Sequence, residues 1–114
     1  MKIVIIGAGQ VGFYIAQRLS TEDKEVVVVD KNPEVLEHIS NHMDVQTLEG
    51  SGSSPRVLEE AGIKQANILL AVTDSDETNL VACTFANILA PGITKLARIR
   101  NEEYLQYRDK WASD

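Results

Sequence analysis

A glycine-rich loop placed directly after a short apolar run is the feature that most constrains this chain. Four β-branched residues at positions 3–6 are followed by Gly7, Gly9 and Gly12 in a G-x-G-x-x-G spacing, and residues 13–19 have the pattern of a helix. In such a unit the first glycine permits a tight turn, the second lets backbone N–H groups approach a phosphate, and the third lets the helix lie close to the sheet. The helix N-terminus adds unpaired N–H groups and a partial positive charge. The pattern predicts a phosphate-binding loop; the alternative is the same fold with an empty loop.

An acidic residue, Asp30, stands at the end of a second strand pattern over residues 25–29. After a glycine loop of this kind, a carboxylate at this position hydrogen-bonds the adenosine ribose hydroxyls and repels a 2′-phosphate, which disfavours NADP. The alternative is that Asp30 caps the next helix, but Asn32 already fits that role and Pro33 fits the first helical position. We therefore interpret Asp30 as a ribose ligand in a site for a dinucleotide or an adenine nucleotide.

Strand and helix patterns alternate along the chain. The predicted strands cover residues 2–6, 25–29, 45–48, 66–72 and 94–99. The predicted helices cover residues 10–20, 33–41 and 54–62, a long segment that ends near position 89, and residues 101–110, before a short tail at 112–114. This alternation specifies a single α/β domain, a Rossmann-like doubly wound parallel sheet with strand order 3-2-1-4-5. Ligands of such sheets bind beyond the carboxyl ends of the strands, at the switch point beside the first strand.

Composition excludes several classes of function. A chain of 114 residues is one domain by length, and its net charge of −6 argues against a nucleic-acid partner and against direct binding to anionic lipid. The single cysteine, Cys83, excludes an internal disulfide, and its apolar helical surroundings favour an inert buried thiol. No apolar run approaches the ~20 residues of a membrane span, so we expect a cytoplasmic protein without direct membrane insertion.

Two of the predicted loops at the switch point carry residues that we interpret as candidate ligands, and each of these residues also has a non-binding interpretation. Ser51 and Gly52 follow the third strand, where an adenine ring would rest; a plain connection is the alternative. Arg98 lies near the end of the fifth strand, where a guanidinium can bind a pyrophosphate through two hydrogen bonds. The alternative for this arginine is a surface ion pair with Glu102 or Glu103.

A third loop holds Thr73 and Asp74, which follow the fourth strand and face the glycine loop across the switch point. There they can contact the second half of a dinucleotide or its phosphates. The alternative is helix capping, because Thr73 with Asp76 and Asp74 with Glu77 each have a capping-box-like spacing. The two roles are compatible, and the sequence on its own favours capping.

Catalytic residues cannot be identified in this sequence. His38 and His42 have the i, i+4 spacing of metal ligands, but no further ligand completes a site, so exposed histidines are the simpler interpretation. No Ser-His-Asp or Cys-His arrangement can be read. The sequence therefore predicts a binding site in a protein that is not an enzyme.

Two runs are more specific than the glycine loop: Ala-Val-Thr-Asp-Ser-Asp-Glu-Thr-Asn at positions 71–79 and Ala-Arg-Ile-Arg at 97–100. Together with the runs at 2–12, 29–31 and 60–63, they make nearly the whole chain resemble the N-terminal nucleotide-binding domain of Trk/Ktr-type potassium-uptake proteins, also called the RCK domain. The resemblance implies a peripheral cytoplasmic subunit that gates a membrane potassium transporter. Such domains bind NAD(H) or ATP/ADP and form homo-oligomers, as dimers or larger rings.

The resemblance also implies which residues contact the nucleotide. They are Gly7, Ala8, Gly9, Gln10, Val11, Asp30, Thr73, Asp74 and Arg98. Relatives often carry Gly-Asp after the third strand, whereas this chain has Gly50, Ser51 and Gly52. The carboxylate that would bind the base amino group is missing, so Ser51 and Gly52 are expected to line the base pocket through the backbone. Because relatives continue into a second small domain, we expect residues 1–114 to be a fragment of a longer chain.

Two other functions are compatible with the same residues. The chain can be the cofactor domain of an NAD-dependent dehydrogenase whose substrate domain supplies the hydride-acceptor site and the general acid or base. It can also be a simple dimerisation module. A small regulatory domain or a repeated glycine motif further along the chain would favour transport, whereas a catalytic domain with a histidine or lysine would favour the dehydrogenase.

Overall fold

The structure, a computed structural model, describes residues 1–107. Within that range five parallel strands form one sheet in the order β3-β2-β1-β4-β5. The strands are β1 (Lys2–Ile6), β2 (Glu25–Asp30), β3 (Gln46–Glu49), β4 (Ile68–Ala71) and β5 (Thr94–Ala97). The helices are α1 (Gln10–Ser20), α2 (Pro33–His42), α3 (Pro55–Glu60), α4 (Asp76–Leu89) and α5 (Glu102–Leu105), with a 3₁₀ turn at Ile63–Gln65. The predicted strand order and the Rossmann-like doubly wound α/β class are confirmed.

Strand β1 lies in the middle of the sheet and is buried on both faces. Val4 and Ile6 belong to an apolar layer formed with α3 and α4, and Ile3 and Ile5 belong to a second layer formed with α1 and α2. All four side chains are at most 2% exposed. Their β-branched character suits a pleated surface covered on both sides, which is why the sequence shows a continuous apolar run here. Because helices cover both faces of β1, this central strand meets solvent only toward its ends.

Helices α2 and α4 begin at capping side chains. As predicted, Asn32 accepts a hydrogen bond from a main-chain N–H in the first turn of α2. At α4 the cap is Ser75, whose Oγ accepts from the N–H of Thr78. The capping interpretation of Thr73 and Asp74 is therefore wrong, and both residues belong to the loop that precedes the cap.

Strand β5 ends at Ala97 instead of the predicted position 99. The N–H of Arg98 still donates to a carbonyl of β4. The N–H groups of Arg100 and Asn101 instead donate to the Asp76 carboxylate, at 3.1 Å and 2.7 Å. Because side chains replace the neighbouring strand as hydrogen-bond partners, the ladder stops and the chain turns across the end of the sheet.

Strand β4 and the last helix are also shorter than predicted. The prediction of a strand over residues 66–72 includes Ala66, but its N–H closes the preceding 3₁₀ turn by donating to the carbonyl of Ile63. For the helix predicted over 101–110, the structure confirms only α5 itself. The end of that predicted helix and the predicted tail lie outside the described residues.

Candidate functional site

Two adjoining cavities open at the carboxyl ends of β1, β2 and β4, where the strand order reverses. The smaller, of about 280 Å³, extends over the loop after β3, and the larger, of about 380 Å³, over the start of α1. Both are lined by Gly7, Asp30, Thr73 and Asp74. The smaller also contacts Ser51 and Gly52, and the larger contacts Gly9, Gln10, Val11 and Arg98. Every predicted ligand residue except Ala8 therefore lines this pair of cavities, which we call the switch cleft.

A different structural feature explains the presence of glycine at each of the three positions of the loop. Gly7 has a φ of +107°, and a Cβ there would lie 2.9 Å from the main-chain nitrogen of Thr73. A Cβ on Gly12 would overlap the carbonyl oxygen of Gly7. These two glycines are required by the fold, in agreement with their predicted roles. A Cβ on Gly9 would meet no atom within 4 Å, so this glycine leaves an open space above the loop.

The open space at Gly9 lies beside the unprotected end of a helix. Gly9 is the N-cap of α1 and, having no side chain, makes no capping hydrogen bond to the first turn. Gln10 and Val11, which begin that turn, line the larger cavity together with Arg98, whose guanidinium lies 3.8 Å from the Asp74 carboxylate. Main-chain donors, a helix N-terminus and a guanidinium thus converge on one side of the switch cleft. This combination suits an anion such as a phosphate.

Asp30 connects the glycine loop to the end of β2. Its Oδ2 accepts a hydrogen bond from the N–H of Ala8 at 2.8 Å, and its Oδ1 accepts from the N–H of Asn32 at 2.8 Å. Ala8 is buried, which is why it does not line the cleft. A carboxylate has about four lone-pair positions. Asp30 therefore keeps acceptor capacity for ribose hydroxyls while it fixes the loop.

The turn after β3 is held by its own serines and by packing. The Oγ atoms of Ser51 and Ser53 are 2.8 Å apart, and the N–H of Ser53 donates to the Ser51 Oγ. Gly52 is buried, and a Cβ there would overlap the Ile6 side chain. The glycine at position 52 is thus explained by close packing on β1. Ser51 and Gly52 both line the smaller cavity.

Asn79 is the site residue that sequence reasoning missed. This α4 residue is 0% exposed, and its Oδ1 accepts from the N–H and the Oγ1 of Thr73, at 2.9 Å and 2.7 Å. Its Nδ2 donates to the carbonyls of Thr73 and Arg98, at 3.1 Å and 2.7 Å. One signal was available: Asn79 shares helical spacing with the buried Ala82 and Ala86, which places an amide on the face of α4 that packs on the sheet.

Arg98 pairs with Asp74 across the mouth of the cleft. The Arg98 Nη1 is 3.8 Å from the Asp74 Oδ1, and the two side chains are 30% and 95% exposed. The alternative interpretation, an ion pair with Glu102 or Glu103, named the wrong partner, because the ion pair is made with Asp74. A single exposed contact of this length is weak, so the guanidinium can turn toward an anion. Arg100 does not line the cleft; its Nη2 donates to the Asp74 carbonyl at 2.7 Å.

The histidines have a structural role away from the cleft. His38 and His42 are exposed, as predicted, with ring centroids 4.3 Å apart, and Phe13 stacks on His38.

Across residues 1–107 no cluster of three or more metal-ligating side chains occurs. Over the same range no helix has both the length and the apolar character needed to span a bilayer.

Comparison with known proteins identifies the family. The family model described as the TrkA-N domain matches residues 3–113. The chain belongs to the TrkA-N domain family. This TrkA-N domain is 49% identical over 113 residues to the Trk system potassium uptake protein TrkA of Azorhizobium caulinodans. It is 46% identical over 110 residues to the protein of the same name from Haemophilus influenzae.

These curated relatives are much longer than the region they share with this chain. The matches cover 99% and 96% of the TrkA-N domain but 24% of each relative. The chain thus spans about a quarter of the length of the curated relatives it matches. The relatives are named as potassium uptake proteins, and the chain shares one portion of them.

Solved structures confirm the fold. The TrkA-N domain of the inner membrane protein ybaL from Escherichia coli superposes with a TM-score of 0.87 at 17% identity, covering 96% of this chain and 81% of that one. The Kef CTD of Shewanella denitrificans in AMP-bound form gives 0.82 at 23% identity, covering 95% and 65%. The GsuK channel bound to NAD gives 0.83 at 19% identity, covering 96% and 20%.

Proposed function

We propose that this TrkA-N domain is a nucleotide-sensing module that regulates a membrane potassium-uptake system. The observation that carries the proposal is the open space at Gly9, bounded by the uncapped start of α1, by Arg98 and by Asp30. NAD(H) or ATP/ADP offers the phosphates and the ribose that these groups are suited to bind. The names of the curated relatives, and the AMP-bound and NAD-bound structures of the same fold, support this assignment.

In the proposed complex the phosphates lie against the main-chain N–H groups of Gly9, Gln10 and Val11. The helix N-terminus stabilises an anion there by about 0.3–1 kcal/mol. Arg98 turns from Asp74 to the phosphates and binds them through two hydrogen bonds. Because the ion pair it leaves is exposed and 3.8 Å long, the exchange costs little.

The rest of the nucleotide occupies the remainder of the switch cleft. The ribose hydroxyls bind the free lone pairs of Asp30, and the base lies over Ser51 and Gly52 in the smaller cavity. A second nucleotide half, when present, contacts Thr73 and Asp74. Ala8 acts indirectly, because its N–H orients the Asp30 carboxylate.

We further propose that nucleotide occupancy changes how this domain packs against other copies of itself, and that an attached potassium transporter subunit responds. The domain then acts in the cytoplasm, peripheral to the membrane, as a homo-oligomer and without catalysis. A nucleotide can shift such an equilibrium only by the difference in its affinity for the two packing states. The binding site needs donors, acceptors and an open space, which the switch cleft offers, and no bond-making residue.

Binding is tested by titration calorimetry of the purified protein with NADH, NAD, ATP and ADP. The Gly9→Val variant fills the open space, and Gly92→Val is its matched control, because a Cβ at either glycine meets no atom within 4 Å. We expect Gly9→Val to bind at least about tenfold more weakly, since van der Waals overlap excludes the phosphate. We expect Gly92→Val to bind as the unmodified protein does. Equal affinity in both variants would contradict the proposed site.

Regulation is tested separately by small-angle scattering and crosslinking of the same protein with each nucleotide and without it. A change in the assembly between ligands is expected if occupancy alters packing. Scattering curves and crosslink patterns that are identical under all conditions would argue against control of transport by this domain, even if calorimetry shows binding.

A further inference from the structure

Asn79 connects two loops that come from different strands of the sheet. Thr73 follows β4 and Arg98 follows β5, and both line the switch cleft. We propose that Asn79 is a positioning residue for nucleotide binding, which ties the main chain of Arg98 to that of Thr73 and so sets the point from which the Arg98 side chain reaches the ligand. This inference rests on the proposed function, because the ligand is the nucleotide proposed there.

The amide of Asn79 uses its whole hydrogen-bonding capacity. Its two donor positions go to the carbonyls of Thr73 and Arg98, and its oxygen accepts from the N–H and the hydroxyl of Thr73. The asparagine amide offers two N–H donors and one oxygen that can accept two hydrogen bonds. An ionised aspartate of the same shape has no donor, and a leucine has neither a donor nor an acceptor. The set of four bonds is therefore specific to asparagine at this position.

The bond from Asn79 to Arg98 helps to fix the main chain from which the Arg98 side chain starts. The N–H of Arg98 donates a hydrogen bond to the carbonyl of Ala71, and the carbonyl of Arg98 accepts one from the Nδ2 of Asn79. With both main-chain groups engaged, the remaining freedom of Arg98 lies in its side chain, which starts from a fixed point at the cleft. Loss of the Asn79 bond frees the carbonyl of Arg98 and lets the loop after β5 move. The anchor point of the Arg98 side chain at the cleft is then no longer fixed, which lowers affinity for a phosphate.

A double-mutant cycle tests whether Asn79 acts through Arg98. The variants are Asn79→Ala, Arg98→Ala and the double variant that carries both changes. The affinity of each for NAD is measured by calorimetry at a temperature below the thermal unfolding of that variant. We expect Asn79→Ala to weaken NAD binding about tenfold in the unmodified background and to have little further effect in the Arg98→Ala background. Asn87→Ala, a change at a half-buried asparagine on the same helix, is the control and leaves affinity unchanged.

A conservative variant covers the possibility that Asn79→Ala does not fold. Asn79→Ser keeps one donor and one acceptor in the buried site but cannot reach both carbonyl oxygens, so a weakening of NAD binding in the same direction is expected. Hydrogen exchange of the unmodified protein gives a third measurement: exchange of the Thr73 N–H slows when NAD is added, because the ligand restricts the loop that Asn79 holds.

Three results would overturn the inference. The first is a folded Asn79 variant that binds NAD with unchanged affinity. The second is an Asn79→Ala effect of full size in the Arg98→Ala background, which would indicate a general loss of structure. The third is a Thr73 N–H exchange rate that NAD does not alter. These three results would overturn the role of Asn79 and leave the proposed nucleotide binding intact. If instead the unmodified protein binds no nucleotide, the proposed function fails and this inference fails with it.

Discussion

The buried main-chain N–H of Ala8 donates a hydrogen bond to the Oδ2 of Asp30 at 2.8 Å. The carboxylate interpreted from the sequence as a ribose ligand is thus also the group that joins the glycine loop to the end of β2. Its second oxygen accepts from the N–H of Asn32 at the start of the next helix. One side chain therefore orients two of the main-chain segments that border the switch cleft, and its removal should affect folding as well as binding.

Replacing Asp30 by alanine should lower the free energy of unfolding by about 1–3 kcal/mol, because the Ala8 N–H is left buried without its acceptor. Urea denaturation followed by circular dichroism measures this. Asp44→Ala, at an exposed carboxylate, is the control and should change the free energy of unfolding by less than about 0.5 kcal/mol. An Asp30→Ala protein of full stability would show that the Ala8 bond contributes nothing to the fold.

Replacing Arg98 by lysine should weaken NAD binding about threefold to tenfold, because lysine keeps the positive charge but loses the planar fork that matches a phosphate. Calorimetry at low ionic strength measures the effect. Arg56→Lys, at an exposed arginine that pairs with Glu60 on α3, is the matched control and should leave affinity unchanged. Unchanged affinity in Arg98→Lys would mean that the guanidinium geometry is not used.

Replacing Gly12 by alanine should destabilise the protein by about 3 kcal/mol, because the new Cβ overlaps the carbonyl oxygen of Gly7 and the helix must shift from the sheet. The higher helix propensity of alanine offsets only about 1 kcal/mol of this cost. Thermal unfolding measures the change. Gly92→Ala, where the Cβ meets no atom within 4 Å, should stay within about 0.5 kcal/mol of the unmodified protein; similar losses in both variants would contradict the overlap argument.

Burial raises the pKa of the Cys83 thiol to about 11 from its ordinary value of 9.0, while the Lys95 ammonium acts in the opposite direction. The thiol should therefore react slowly with iodoacetamide at pH 8.5 in the folded protein and quickly in urea. Between pH 9 and pH 11 the unfolded chain loses this proton before the folded chain does, so stability falls as pH rises.

Other groups titrate in the same pH range, so the Cys83 contribution is the difference between the unmodified protein and Cys83→Ala. We expect the unmodified protein to lose more stability over this window than the variant does. Equal slopes of the free energy of unfolding against pH, measured by urea denaturation at each pH, would show that the thiol ionises normally.

The fold was predictable because its signals are local in sequence. The continuous apolar run of β1, the Asn32 cap and the spacing of the loop glycines can each be read within a few neighbouring residues. The ends of the later elements were less predictable. β5 stops where the Asp76 carboxylate takes over the main-chain N–H groups, and this contact joins residues more than twenty positions apart.

Most of the switch cleft was also predictable, because parallel strands bring their carboxyl ends to one edge of a sheet. The glycine loop, Asp30 and Arg98 meet there as expected. Asn79 was missed because its partner Arg98 is nineteen positions away, so no sequence spacing marks the bond. The Ser75 cap was missed because Thr73 and Asp74 each have an acid three positions later, which Ser75 lacks, and only the three-dimensional path of the loop shows that Ser75 is the cap.

Four of the helices start at an asparagine or a serine that accepts from the first turn, whereas α1 starts at Gly9 with no such acceptor. A phosphate placed there completes the helix, so its binding energy adds to the stability of the native state, by about 2.7 kcal/mol at a concentration a hundred times the dissociation constant. Without the ligand this stabilisation is lost, and the unfolded fraction of the protein increases many times. Cellular proteases act on unfolded chains. If the proposed nucleotide binds at this helix, the lifetime of the protein in the cell follows the supply of that nucleotide, which links its abundance to metabolism through the missing cap of a single helix.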